Sequence, residues 1–319
     1  MASRRDWWMT DVSLKDTEKA GSDTRPLSFD ALRDWSNDDH AAAWACFENT
    51  RDLCYQFLRK ANDISAREFF ETHFTLHRLG AGNGHLTGYY EPEIPASLIR
   101  TDEYPCPIYA CPPDAAAQAL TRAAIVQDGA LDWLGLEIAW LRDPVDAFFL
   151  QVQGSGRLMF ADDQSIRVGF AAKNGHPYVS IGAELVRKGV FSAGEVSADK
   201  VKEWLRSNGT DLLLLNPSFV FLKVLDLPQD SGPLGTMDRP VTADRTLAVD
   251  PSHIPLGTPV WIEFEGQGRL CVAQDIGSAI KGPNRGDLYC GTGSDAGLRA
   301  GSLNTEVTMT LLLPREAST

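Results

Sequence analysis

The chain has 319 residues, 43% of them hydrophobic, with 30 Lys and Arg against 43 Asp and Glu, a formal charge of −13 and a pI near 4.9. That length holds one large domain or two ordinary ones with a sizeable core, and the acidic field, with no basic stripe to offset it, excludes nucleic acid and anionic membrane surfaces as partners. No apolar run reaches the roughly 18 residues of a spanning helix, and MASRRDWWMTDVSLKD lacks the apolar core of a secretory signal, so the chain reads as soluble, either cytosolic or exported with its targeting segment absent.

Residues 28–77 read as helical. Phe29, Leu32 and Trp35, then Trp44, Phe47, Leu53, Phe57 and Leu58, recur at helical spacing, and Ser28 is a candidate N-cap. His73 and His77 are four apart and could hold a metal from one helix face, but no third ligand lies nearby, so packing is the expected role and no metal is implied. From Gly80 the texture changes to short β-rich runs broken by Gly and Pro, as in HLTGYYEPEIPASL and YPCPIYACPPD.

Residues 147–160, AFFLQVQGSGRLMF, read as a strand, a Gly-Ser-Gly turn and a second strand; Gln151 and Gln153 would then share one strand face and could bond acetamido and hydroxyl groups. Ser155 in that turn has no base implied beside it, so a nucleophilic role is not expected. Two helices follow, VSIGAELVRKG and SADKVKEWLRSNG, the latter capped by Ser197 and stopped at Gly209. The last third returns to strands, with AGLRAG a short helix before the final one, and so many short strands with tight turns suggest a barrel.

The six cysteines form no CxxC pair, so they read as buried thiols; a Cys271–Cys290 disulfide would require export. No GxSxG elbow, P-loop or dinucleotide fingerprint is present, and neither repeats nor low-complexity segments occur. What remains is a set of three aspartates that end or border apolar strand-like runs: Asp250 in LAVDP, Asp275 in VAQDIG and Asp287 in RGDLY. Asp beside Pro or Gly is a common turn-former. In a small barrel, however, strand ends converge on one rim, and carboxylates brought together raise one another's pKa, so that one stays protonated as a general acid. Lys281, on the loop between Asp275 and Asp287, could bind a sugar hydroxyl or an acidic substrate group.

The runs AVDPSHIPLGTPVWIEF and AQDIGSAIKGPNRGDLYCGTG resemble the three-aspartate (3D) domain of the membrane-bound lytic murein transglycosylase A family. TGYYEPEIPAS, FFLQVQGSGRL, AAKNGHPYVSIG, NPSFVFLK and GTGSDAGLRAG extend the resemblance over about residues 80–313 in the family's order. The resemblance implies a mainly β chain with N-terminal helices: a discontinuous double-psi β-barrel domain from residues 1–90 and 228–319, a β-rich domain inserted at 91–227, and a groove between them.

It further implies cleavage of the β-1,4 bond between N-acetylmuramic acid and N-acetylglucosamine in peptidoglycan with a 1,6-anhydromuramic end. Asp287 is then the single acid and base, supported by Asp275 and Asp250. Thr87, Tyr89, Gln151, Gln153, Gly154, Ser155 and Lys281 are the implied substrate contacts; of the adjacent Tyr89 and Tyr90, one should face the glycan. Lys173 and Asn174 are contacts or turn residues. Neither metal nor organic cofactor is implied. The expected partners are glycan strands and cell-wall enzyme complexes, the expected state a monomer, and the expected location the periplasm with outer-membrane association. A hydrolytic cell-wall glycosidase, which would leave reducing ends, and a non-catalytic peptidoglycan-binding module are the alternatives.

Overall fold

The computed structural model of the chain describes residues 27–60, 63–80, 84–162, 164–192 and 194–315. The N-terminal stretch in which no secretory core is expected lies outside these residues, as do positions 61 and 62 of the expected helical section. In chain order the elements are α1 (His40–Cys54), α2 (Ala66–His73), β1 (Phe74–Arg78), β2 (Gly84–Glu91), β3 (Glu93–Ser97), β4 (Cys106–Tyr109), α3 (Ala115–Gln118), α4 (Arg122–Val126) and β5 (Glu137–Leu141). Then come α5 (Pro144–Gln153), β6 (Ser155–Met159), β7 (Ser165–Lys173), α6 (Ile181–Arg187), α7 (Ala198–Asn208) and β8 (Val220–Leu225). The chain continues through β9 (Thr246–Val249), β10 (Pro259–Phe264), β11 (Gln267–Asp275), β12 (Arg285–Thr292), α8 (Ser294–Ser302) and β13 (Asn304–Pro314). This is a mixed helix and sheet fold, rich in strands. The chain divides into two compact units, one of Met1–Tyr89, Leu234–Gly291 and Leu298–Thr319, the other of Tyr90–Pro233 and Thr292–Gly297.

The first unit holds a seven-stranded sheet of order β1-β13-β10-β11-β9-β12-β2, in which β13 also pairs with β2. Most pairs are antiparallel; β9 and β11 are parallel. Period-2 alternation sorts the side chains. Val260 and Ile262 join Leu86, Leu247, Leu288 and Met309 in one buried cluster, while Trp261 joins Trp35, Phe47, Phe69 and Phe70 in another.

The expected helical section of residues 28–77 is interrupted. Among the described residues two α-helices form, α1 and α2, preceded by short 3-10 turns at Phe29–Ala31 and Trp35–Asn37, but Asp34 sits in the left-handed region at φ 59° and Phe74–Arg78 leaves the helix to pair with β13. Ser28 makes no side-chain cap; Asp39 caps α1, and Ser65 with Glu68 forms a reciprocal capping box on α2. The aromatic spacing therefore reports a shared core, with Trp35 and Trp261 ring centroids 5.0 Å apart, more than one continuous helix. His73 stacks on Phe69 at 4.7 Å, and His77, on β1, shares a hydrogen bond with the Thr75 hydroxyl. Helix α1 is tied to the sheet by buried Gln274, whose amide donates to the Cys46 carbonyl at 2.7 Å and the Thr50 hydroxyl at 2.8 Å and whose carbonyl accepts from Thr246 at 2.6 Å.

The second unit holds a six-stranded sheet, β4-β5-β3-β6-β7-β8, covered by α5, with α6 and α7 packed beyond it. Residues 144–153 are helical, not the expected strand. Asp143 caps with its carboxylate on the Asp146 N–H, Pro144 occupies the first turn, and Gly154 ends the helix at φ 81°. The Pro start and Gly stop outweigh the apolar run, and Gln151 and Gln153 consequently do not share a strand face. The expected helices at α6 and α7 form, with Ser197 capping and Gly209 ending the second. All six cysteines are free; Cys46, Cys271 and Cys290 are buried.

In the second unit Glu91, fully buried, receives Arg167 through both oxygens at 2.7 and 3.2 Å and the Thr292 hydroxyl at 2.9 Å. Asn174, expected as a contact or turn residue, is buried and structural: its amide donates to the carbonyls of Leu120 and Pro217, and its own carbonyl accepts from the Phe219 N–H. Lys173 is exposed. No helix among the described residues is long and apolar enough to cross a membrane.

Candidate active site

Strand β9 organises the acidic residues. Ala248 is the register partner of Asp275 on one side and of Asp287 on the other, so two strands aligned on one residue bring the two carboxylates to the same level of the sheet. A register shift between Ala273 and Asp275 marks the end of β11. Asp250 follows β9 in the chain, where its carboxylate accepts from the Ser252 N–H and hydroxyl and, at 2.9 Å, from the Gly282 N–H.

Asp275 and Asp287 have different surroundings. Asp275 accepts from the Thr236 N–H (3.0 Å) and hydroxyl (2.7 Å), the Ile276 N–H (2.9 Å) and the Tyr89 hydroxyl (2.9 Å). Asp287 accepts at Oδ1 from the Thr87 hydroxyl at 2.5 Å, and that hydroxyl in turn accepts from Arg285 Nη2 at 2.8 Å. Burial pushes the Asp287 carboxyl above the usual aspartate range and the Asp275 charge adds to it, against the Thr87 hydrogen bond and the charges of Arg285 and His85. Burial also raises Asp275, opposed there by its donors, with Thr236 first among them. Four donors on one carboxyl and one on the other leave Asp287 the better holder of a proton.

The Asp250 carboxyl is different again. Burial acts to raise it, but the Gly282 N–H, the Ser252 hydrogen bonds and the Lys281 charge prevail and hold it down at about 2. It makes no hydrogen bond to either of the other aspartates; it pins the loop between β11 and β12 to the end of β9. Gly282, at φ 103°, takes a backbone conformation that favours glycine and aims its N–H at Asp250. An acid whose folded pKa lies below its unfolded value of about 4 stabilises the fold above that pH, and the contribution is lost as pH falls through about 2. Asp250→Asn should therefore cost about 1–2 kcal/mol at neutral pH and little near pH 2, read from urea unfolding at both.

Of the expected contacts, Thr87 and Tyr89 lie on β2 and reach Asp287 and Asp275 respectively, and the Tyr89 ring lies 5.2 Å from that of Tyr289. The neighbouring Tyr90 ring is directed elsewhere, over Gly297 of α8. Gly88 between them admits no side chain: a Cβ would lie 2.7 Å from the Ala300 Cα. Gly88→Ala should accordingly displace Thr87 and Tyr89 together and lower stability by about 1–3 kcal/mol, as measured by thermal unfolding.

Lys281 is exposed on the loop beside Asp250. In the second unit Gln151 is buried and accepts from Arg122 Nη2 at 2.7 Å, while Gln153, Gly154 and Ser155 run from the end of α5 into β6. The sequence reading passed over Arg285, Thr236 and Glu91. The motif RGDLY offered a signal for the first, since a strand places residues two apart on one face, whereas Thr236 and Glu91 gain their roles only through partners distant in the chain. Among the described residues no group of His, Cys, Asp and Glu could hold a metal.

The strand-rich fold of two units thus carries, in the first of them, a pair of aspartates in unequal surroundings. The MltA specific insert domain matches residues 85–223 and the 3D domain residues 245–313. The chain is 36% identical over 237 residues to "Membrane-bound lytic murein transglycosylase A" of Vibrio cholerae, a match spanning 69% of this chain and 62% of that protein. A membrane-bound lytic murein transglycosylase from Agrobacterium tumefaciens superposes with a TM-score of 0.79 at 30% identity, covering 91% of this chain and 97% of that one. Escherichia coli MltA with bound chitohexaose superposes at 0.74, also at 30% identity, covering 93% and 97%. The chain belongs to the membrane-bound lytic murein transglycosylase A family.

Proposed function

We propose that this protein is a lytic transglycosylase that cuts peptidoglycan between N-acetylmuramic acid and N-acetylglucosamine. The observation that carries the reading is the inequality of the two carboxyls: Asp275 accepts from four donors, while Asp287 has one and burial favours its proton. Protonated Asp287 gives its proton to the glycosidic oxygen as the bond from C1 breaks and positive charge develops on the muramic ring. The resulting carboxylate takes the proton of the same sugar's C6 hydroxyl while that oxygen bonds to C1 and closes the anhydro ring. Water is not consumed, and Asp287 ends protonated as it began.

In this reading Asp275 stays ionised, holding Tyr89 and supporting the developing positive charge, and Asp250 keeps the intervening loop in place. Residues 1–90 and 228–319 are the catalytic domain, read as a double-psi β-barrel because β13 returns to β2 and because β9 and β11 run parallel. Residues 91–227 are the insert that recognises glycan, with Gln153, Gly154 and Ser155 as contacts and Gln151 holding α5 through Arg122. The relative with bound chitohexaose supports an oligosaccharide substrate, and the substrate's place in the envelope supports a periplasmic, membrane-associated location. Incubation with purified glycan strands should shorten them without any gain in reducing ends; one new reducing end per cut would mean hydrolysis.

A further inference from the structure

We propose that Arg285 is a positioning residue for the acid step, locking the Thr87 hydroxyl as a donor to Asp287 Oδ1 so that the catalytic proton is carried on Oδ2. The inference rests on the reading of Asp287 as acid and then base. A guanidinium offers only donors. With Arg285 Nη2 2.8 Å from Thr87 Oγ1, the oxygen accepts there, and its own hydrogen is directed to Asp287 Oδ1, 2.5 Å away.

The guanidinium is itself fixed by backbone, donating through Nη1 to the carbonyls of His85, at 3.3 Å, and Gly286. Were Thr87 free to turn, its oxygen could accept a proton from Oδ1, and the acid would be directed at the protein instead of the substrate. No described residue donates to Oδ2, so a proton there is available for transfer. Two residues earlier in the same strand is the position from which a long side chain can reach around its neighbour's carboxyl to a threonine on β2.

Charge works in the same direction as geometry. The titratable groups that act on Asp287 are Arg285 from its own strand, Asp275 from β11 and His85 from β2, and its charge reaches Tyr89 on β2 and Cys290 on its own strand. Burial and Asp275 hold the proton on Asp287, while Arg285, permanently charged, and His85 favour its release. Arg285 thus keeps the carboxyl able to lose its proton in the first step and to regain one in the second.

The test measures kcat/KM against pH on purified glycan strands, with ¹³C NMR titration of the Asp287 carboxyl, for the parent, Arg285→Gln, Arg285→Lys, Thr87→Val and the Thr87→Val/Arg285→Gln double variant. Arg285→Gln should move the alkaline limb and the NMR midpoint upward by about half to one pH unit and lower kcat about tenfold with KM near the parent's. Arg285→Lys, which retains charge and a donor, should leave the limb in place. Because Arg285 places the proton through Thr87, the double variant should lose little more pH-independent kcat than Thr87→Val alone, while its alkaline limb still moves with the lost charge. An unmoved limb, or losses in kcat that multiply in the double variant, would overturn the proposal and leave Arg285 a structural residue. If the parent made no anhydro products the transglycosylase reading would fail, while the NMR titration would still decide whether Arg285 acts on Asp287.

Discussion

On the proposed reading, Asp287→Asn should lower turnover of peptidoglycan by at least about a thousandfold, because there one carboxyl serves as both acid and base and its loss removes each contribution. The variant should fold normally. Asn has nearly the same shape, and its Oδ1 can still accept from Thr87 at the position the carboxylate oxygen holds now. An aspartate whose folded pKa lies above its unfolded value loses native stability as pH rises from about 4 through the folded pKa. At neutral pH the amide, which carries no buried charge, should therefore be at least as stable as the parent in thermal unfolding. For the parent the same direction predicts activity that persists to higher pH than an ordinary aspartic acid would permit and declines on the alkaline side. A folded Asp287→Asn protein with more than about a tenth of parental activity would remove Asp287 from its role.

Glu91→Ala should be the most damaging change to the second unit. Glu91 is fully buried and Arg167 is 6% exposed, so truncating the carboxylate leaves the Arg167 guanidinium inside the protein with its bidentate partner gone and also removes the 3.5 Å ion pair of Arg157. Breaking such a pair costs about 3–5 kcal/mol, more than the pair contributes relative to a well-packed apolar replacement. Glu91→Gln, which retains the shape and an acceptor, should cost about 1–3 kcal/mol, and a Glu91→Leu/Arg167→Met double variant should recover part of the loss, the remainder falling on Arg157. Urea unfolding should place the effect in the transition of the unit spanning Tyr90–Pro233, with equal midpoints for all variants counting against a stabilising role for the pair.

Much of the candidate site is legible from local pattern, and the remainder fails for identifiable physical reasons. Asp275 and Asp287 stand at strand positions that period-2 alternation and the flanking turns make visible, and β11, β12, α8 and β13 form where those signals predict. The α6 and α7 helices and the Ser197 cap follow from capping chemistry. The expected strand at Gln151 and Gln153 is a helix because the preceding Asp-Pro start and the following left-handed Gly154 carry more weight than an apolar run that either element could bury. The expected continuous helical section breaks because Phe74, Leu76 and their neighbours gain a partner in β13 some 240 residues away, a contact that no local window contains. The same distance hid Thr236 on Asp275 and Arg167 on Glu91. Asp250 was visible as a residue, but its work as an anchor for Gly282 depends on a loop conformation that only the folded chain displays.

The most direct measurement is mass spectrometry of the fragments released from purified peptidoglycan by the parent protein and by Asp287→Asn. Muropeptides lighter by one water than their reducing counterparts, released by the parent and absent with the variant, are the predicted result. Fragments with reducing ends, or anhydro fragments released equally by both proteins, would contradict it.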